Sequence, residues 1–113
     1  MHEYSIVQSL YNAVAGQALK RGASSVHSIR VRLGEASGVD PGLLNTAWET
    51  FRARTLCEDA PMEIEVVPAE WECSLCGAVL PRGGVLACGE CGAPARLKQG
   101  DEILLDRIVV EVP

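Results

Sequence analysis

Two stretches of this chain share one frame, Cys73-Ser-Leu-Cys76-Gly-Ala and Cys88-Gly-Glu-Cys91-Gly-Ala. This short internal repeat restricts the fold more than any other feature. The segment from Trp71 to Arg96 offers few large apolar side chains, and a piece that short needs a cross-link or a metal to hold its shape. Two thiolates three positions apart can grip one ion. A glycine after the second permits the positive-φ turn that aims backbone N–H groups at sulfur. Pro81-Arg-Gly-Gly84 can turn the chain so that the two knuckles face each other. Four thiolates in a tetrahedron fit Zn²⁺ and leave no vacant position for a substrate. A redox dithiol and a rubredoxin-type iron site are the alternatives these residues leave open. The redox reading would need a helix beginning at one of the pairs, and nothing helical follows either. Zinc is therefore the favoured ion, held by Cys73, Cys76, Cys88 and Cys91. The fifth cysteine, Cys57, lies outside both knuckles and reads as a small, semi-buried apolar residue.

A chain of 113 residues makes one ordinary domain, or a small domain with a lobe that cannot stand alone. Its hydrophobic content is 48%, but the aromatic residues are only Tyr4, Tyr11, Trp48, Phe51 and Trp71. The core must therefore rest on Val, Leu, Ile and Ala. Fifteen acidic against ten basic residues give a net charge of −5, with the basic ones scattered. That argues against nucleic acid, whose phosphates demand clustered Lys and Arg. The start, Met-His-Glu-Tyr-Ser, lacks the basic and apolar run of a secretory signal. No stretch approaches the roughly 18 apolar residues that cross a bilayer. The expectation is a cytoplasmic protein, where thiols stay reduced and paired CxxC motifs mean metal or redox chemistry.

Hydrophobic periodicity predicts the elements. Ile6, Leu10, Ala13, Val14 and Ala18 form a helical stripe over residues 4–21, with Lys20 and Arg21 near its end and Gly22 to close it. From Val26 the period becomes two, Ile29, Val31 and Leu33 alternating with Arg30 and Arg32. His27 falls in this phase and is expected to be a packed, hydrogen-bonded strand residue. After a turn region over 34–38, Asp40-Pro41 starts a second helix with the stripe Leu44, Ala47, Trp48 and Phe51, fading near Arg54. Met62, Ile64 and Val66 alternate with Glu63 and Glu65 in a second strand. Ile103 to Val112 is more continuously apolar, which predicts a central strand, with a bulge at Asp106 and Arg107 where the alternation slips. The fold class is α+β: two helices packed on a small three-stranded mixed sheet, with a projecting zinc-ribbon-like lobe. The division is an α/β domain of residues 1–69 and 97–113, and a lobe of residues 70–96.

His2 behind the Met1 amine suggests a second, unlike metal site. The terminal amine, the amide nitrogen of residue two and the imidazole can close fused rings around one ion. Such a nitrogen set suits Ni(II) or Cu(II) in square-planar geometry rather than tetrahedral zinc. Glu3 can add an oxygen or backbone ligand, or engage a partner. The large His2 side chain should block removal of Met1 and so keep the register of the chelate. A histidine at a terminus is more often simply solvated; the rest of the chain is what raises this one.

The opening Met-His-Glu-Tyr-Ser-Ile, the strand Val31-Arg-Leu-Gly-Glu followed by Ser37-Gly-Val-Asp-Pro41, the Glu65-Val-Val-Pro68 approach to the first CxxCG, the second CxxCG and the closing Gly100-Asp-Glu-Ile-Leu together resemble the HypA/HybF family of hydrogenase nickel-incorporation proteins. The resemblance covers essentially the whole chain. It implies a nickel metallochaperone that delivers Ni(II) for maturation of the [NiFe]-hydrogenase large subunit with a HypB-type GTPase, and urease maturation proteins are a further class of partner. Carried over by residue, it implies nickel at Met1, His2 and Glu3, and zinc at the four cysteines. One departure is the second knuckle, Cys-Gly-Glu-Cys-Gly-Ala, where many relatives have proline after the first cysteine and serine after the glycine. That changes knuckle rigidity more than ligand identity.

Two rival classes remain. A zinc-ribbon interaction module with an inert amino terminus would bind one zinc and no nickel selectively. An enzyme is disfavoured, because the chain lacks a Walker loop, an HExxH pair and a G-x-S-x-G elbow, and two histidines leave little material for acid–base catalysis.

Overall fold

The computed structural model describes residues 3–113. The first helix, α1 (Glu3–Lys20), leads into strand β1 (Ser25–Gly34), and a single 3₁₀ turn (Glu35–Ser37) precedes helix α2 (Pro41–Phe51). Strand β2 (Met62–Val67) follows, then a pair of short strands, β3 (Glu70–Cys73) and β4 (Ala95–Gln99), and finally β5 (Ile103–Glu111). Local chemistry explains the helix boundaries. The Leu43 amide donates to Asp40 Oδ1 at 3.0 Å, and Pro41 occupies the first turn, where its missing N–H costs nothing. At the end of α1 the chain turns at Gly22, and the Ala23 amide donates back to the Ala18 carbonyl at 3.0 Å.

The main sheet has the order β2-β1-β5, with β1 parallel to β2 and antiparallel to β5. Both helices cover one face. Ile6, Val7, Leu10, Val14 and Ala18 of α1 and Leu44 and Trp48 of α2 pack on Val26, Ile29, Val31 and Leu33 of β1, with Cys57, Ala60 and Met62 closing the core. Trp48 is fully buried, and its indole N–H donates to the Ala60 carbonyl at 2.8 Å, so its one polar group is satisfied. Tyr4 and Tyr11 both meet the Phe51 ring, at centroid separations of 5.5 and 5.4 Å, and join α1 to α2. On the uncovered face Arg30 and Arg32 reach Glu65 across the β1/β2 pair, at 3.6 and 3.9 Å.

Three expectations are corrected. The most apolar strand, β5, lies at the edge, and β1 is central. The extra apolar residues of β5, Leu104 and Val109, are exposed on the sheet's uncovered side rather than packed under a second layer. His27 is exposed, because the pairing of β1 with β5 slips between Val26 and Ser28 and throws it out of phase; it lies 3.8 Å from Glu111. Ala13 is exposed, and Val7 takes a core position instead. The bulge at Asp106 is present: Arg30 faces Arg107 while Val31 faces Leu105.

The cysteine segment leaves this body between β2 and β5. The radius of gyration is 17.9 Å and the longest dimension 59 Å, against about 13 Å for the radius of a compact chain of this length. The lobe therefore projects. At its root two glycines meet. A side chain on Gly34 would lie 2.1 Å from the Gly100 carbonyl oxygen, and one on Gly100, whose φ is +104°, would lie 2.6 Å from the Ala69 backbone. Both strands of the connection are thereby pressed against the end of β1. The Ala36 amide donates to the Gly100 carbonyl at 2.7 Å and the Gly34 amide to the Glu102 carbonyl at 2.8 Å.

Candidate metal centre

The repeat in sequence becomes a repeat in hydrogen bonds. In the first knuckle the Cys73 amide donates to the Ala78 carbonyl at 2.8 Å, and the Gly77 amide to the Cys73 carbonyl at 3.1 Å. Fifteen residues on, the Cys88 amide donates to Ala93 at 2.9 Å and the Gly92 amide to Cys88 at 2.9 Å. The flanks repeat as well, Leu80 donating to Trp71 and Ala95 to Leu86, both at 3.0 Å. Gly77 and Gly92 turn at φ values of 74° and 70°, a conformation that costs a residue with a Cβ about 1–2 kcal/mol. The Ser74 amide joins the two halves by donating to the Pro94 carbonyl at 3.2 Å. Cys73, Leu80, Cys88 and Ala93 are the buried residues of the lobe, with Trp71, Ala78 and Ala95 packed around them.

This doubling brings the four sulfurs together. All lie within 4.8 Å of one another, with Cys73 to Cys91 at 3.1 Å, Cys76 to Cys88 at 3.8 Å and Cys76 to Cys91 at 4.0 Å. A tetrahedron with metal–sulfur bonds of about 2.3 Å has edges of about 3.8 Å. The donor set therefore fits a four-thiolate ion of zinc's size. Backbone amides also face the sulfurs, those of Leu75 and Cys76 at 3.4 Å from Cys73 Sγ. They hold the Cys73 thiol down to about 6, the Cys76 amide contributing most, then the Cys91 thiol and the Leu75 amide. Cys88 is lowered in the same way by the Cys91 and Glu90 amides. The other two resist ionisation. Cys91 is pushed up to about 12, chiefly by the Cys73 sulfur beside it. Cys76 is raised because the Cys73 sulfur, burial and the Cys88 sulfur outweigh the Ala78 amide that lowers it. Four negative sulfurs this close need a cation among them. Among the described residues this is the one group of three or more His, Cys, Asp or Glu side chains placed to hold an ion.

Met1 and His2, expected to bind nickel, lie outside the described residues, and Glu3 is the first residue of α1, half-buried. Cys57 is fully buried and its thiol is pushed up to about 11 by that burial, which makes it an inert core residue. One group escaped the sequence reading altogether. Glu35, just past β1, accepts from the Ala69 amide at 2.9 Å and from the guanidinium of Arg82, which sits between the two knuckles. Arg82 also reaches the Ala69 carbonyl at 3.4 Å. These contacts clasp the lobe to the body. Glu35 and Arg82 are 47 positions apart, and nothing in local sequence signals their meeting.

Comparison with known proteins agrees with this geometry. Residues 1–110 match the family model described as hydrogenase/urease nickel incorporation, metallochaperone, HypA. The chain belongs to the HypA family. A hydrogenase maturation factor HypA of Wolinella succinogenes is 39% identical over 98% of this chain and 96% of its own length. Its counterpart in Archaeoglobus fulgidus is 36% identical over 99% of this chain and all of that one. Among solved structures, the nickel metallochaperone HypA from Helicobacter pylori superposes with a TM-score of 0.73 at 33% identity, covering both chains fully. A second HypA solution structure gives 0.78 at 32% identity. The chain is thus one of a family of nickel metallochaperones built on two helices, a three-stranded sheet and a cysteine lobe.

Proposed function

We propose that this HypA-family chain carries Ni(II) at its amino terminus, through the Met1 amine, backbone nitrogen and His2 imidazole with Glu3 beside them, and holds zinc at Cys73, Cys76, Cys88 and Cys91. The observation that carries this reading is the closure of the sulfur cluster. Four sulfurs within 4.8 Å of one another are enough to fill a tetrahedron around one ion, and two amides of the first knuckle face the Cys73 sulfur. An ion held there has no open position through which to be passed on. Bound zinc supplies a rigid cross-link that the small apolar content of residues 70–96 needs, while residues 1–69 and 97–113 form the unit that bears the cargo.

A carrier must hold its ion against competitors and still surrender it. A terminal amine and an imidazole titrate near 8 and 6.5 as free groups, so uptake of nickel releases protons and acid favours unloading. Contact of a HypB-type GTPase with α1 and Glu3 would displace this coordination and pass the ion toward the [NiFe]-hydrogenase large subunit, in the cytoplasm and without catalysis of any bond change by the chain itself. The family description, which names urease beside hydrogenase, supports urease maturation proteins as a second class of recipient.

The test is to block the Met1 amine by Nα-acetylation. Nickel affinity should fall at least about tenfold, because the acetylated nitrogen no longer offers a lone pair to the chelate, while zinc content stays at one per chain. Equal nickel affinity with the free and the acetylated amine would remove the amine from the site.

A further inference from the structure

Two clefts lie end to end between α1 and β5 and share Leu105. The first, of about 430 Å³, is apolar, with Ile6, Leu10 and Ala13 of α1 facing Ile103 and Leu105 of β5. The second, of about 470 Å³, is lined by Gln17 and Arg21 of α1 and by Asp106, Arg107 and Ile108 of β5. Neither Arg21 nor Arg107 has an ionic partner among the described residues, although the chain carries a net charge of −5. Beside both clefts runs the open backbone of β5, an edge strand of the main sheet. The Ile29 amide of β1 donates to the Pro61 carbonyl on the β2 side, so Arg30 and Arg32 turn their backbone groups toward β5, where Arg107 and Leu104 stand opposite. The amides and carbonyls of Ile103, Leu105 and Ile108 consequently point outward. Their side chains pack toward the helices, whereas Arg107, opposite Arg30, stands on the uncovered face with Leu104 and Val109.

We infer that this groove docks an extended segment of a partner protein, acidic at one end and aliphatic at the other, which adds to β5 as an antiparallel strand. From Ile103 to Val110 β5 spans about 23 Å, the length of about seven extended residues. Alternation then fixes the chemistry of the occupant. A carboxylate opposite Ile108 faces the helices, toward Arg21 and Gln17. The next residue, opposite Arg107, lies on the uncovered face and offers that guanidinium a second carboxylate. The residues opposite Leu105 and Ile103 face the helices again and fill the apolar cleft, so both should be aliphatic. Asp106, the bulged residue with no partner on β1, is the one carboxylate lining either cleft, and two arginines outnumber it. The other edge of the sheet rejects the same segment, since β2 carries Glu63 and Glu65 and no cation. The aliphatic end of the segment meets α1 at Ile6, in the turn that begins at Glu3. Docking itself does not depend on what the amino terminus binds.

The probe is the end-blocked peptide Thr-Thr-Glu-Glu-Leu-Val-Leu, titrated into nitrogen-15-labelled, zinc-loaded, nickel-free full-length protein. Amide shifts along β5 and α1 should saturate with a Kd below about 1 mM. Hydrogen exchange should slow at Ile103, Leu105 and Ile108, whose amides gain a partner, and stay unchanged at Leu104 and Val109, which already face β1. The double variant R21E/R107E should bind the peptide at least about tenfold more weakly and prefer Thr-Thr-Lys-Lys-Leu-Val-Leu instead. Replacing both leucines of the first peptide by serine should weaken its binding to the wild type by about as much. Far-UV circular dichroism and zinc content, unchanged in the variant, separate loss of docking from loss of fold. Four results would each overturn the inference: no saturable shift up to about 5 mM peptide, exchange slowed equally at all five amides, outward amides already protected before peptide is added, or equal binding of the two charge forms of the peptide by the wild type.

Discussion

At the scale of single residues, Gly100 has the least freedom to change. Its φ of +104° is outside the range of ordinary L-residues, and a Cβ there would meet backbone atoms of Pro68 and Ala69 within 2.9 Å. Backbone cannot swing aside as a long side chain can. Gly100→Ala is expected to destabilise the body by about 3 kcal/mol or more in urea denaturation, or to pry the lobe's connection from the end of β1. A loss under about 1 kcal/mol, with the hydrogen bond from Ala36 intact, would contradict this account of the root. Little of it is legible in the residue order. The reason for Gly100 is the close approach of Ala69, thirty-one positions away. The cysteine ligands are different: their spacing states their chemistry, because two thiols three apart with glycine behind them have few other uses. His27 lies between these cases, misjudged because a one-residue slip in pairing reverses the face of a strand residue and leaves no mark on its neighbours.

At the scale of elements, the lobe depends on two devices of unequal reach. The four sulfurs hold its interior, and Cys73→Ser should unfold residues 70–96 while leaving the α1, α2 and sheet signals in place. Metal binding by such peptides is worth roughly 10 to 16 kcal/mol at neutral pH, more than the buried set of Cys73, Leu80, Cys88 and Ala93 can supply. Full zinc stoichiometry and unchanged amide shifts in the variant would refute the four-thiolate assignment. The Glu35–Arg82 clasp sets orientation instead. Its carboxylate is held down to about 2, first by the Arg82 hydrogen bond and then by the Ala69 amide. A depressed acid contributes its stabilisation above its free value of 4.5 and loses it only as pH falls from there through about 2. Residual dipolar couplings should therefore report one lobe orientation from pH 8 to pH 5. Glu35→Ala should loosen that orientation at every pH in the range without releasing zinc. Orientation that drifts in the wild type between pH 8 and pH 5 would show that another group governs it. Alternation makes β1, β2 and β5 readable as strands but not their positions in the sheet, and β3 and β4, short and inside the cysteine segment, carry no such signal. The apolar run of β5 comes from exposed Leu104 and Val109 at an edge, and β1 is central although its outward face carries Arg30 and Arg32, which reach Glu65.

At the scale of the whole molecule, the architecture separates a body with one apolar core from a lobe tied down by sulfur, joined at a glycine crossing and one ion pair. The family match over residues 1–110 establishes a nickel metallochaperone family, and the closed sulfur cluster directs the search for the cargo site to the other end of the chain. The division is tested most directly by titrating untagged, zinc-loaded protein with Ni(II), wild type beside His2→Ala, and following the square-planar d–d band with zinc counted in parallel. The account predicts one nickel per wild-type chain with that band, its loss in His2→Ala, and one zinc retained by both. An undiminished band in His2→Ala, or nickel that enters only as zinc leaves the cysteines, would contradict it.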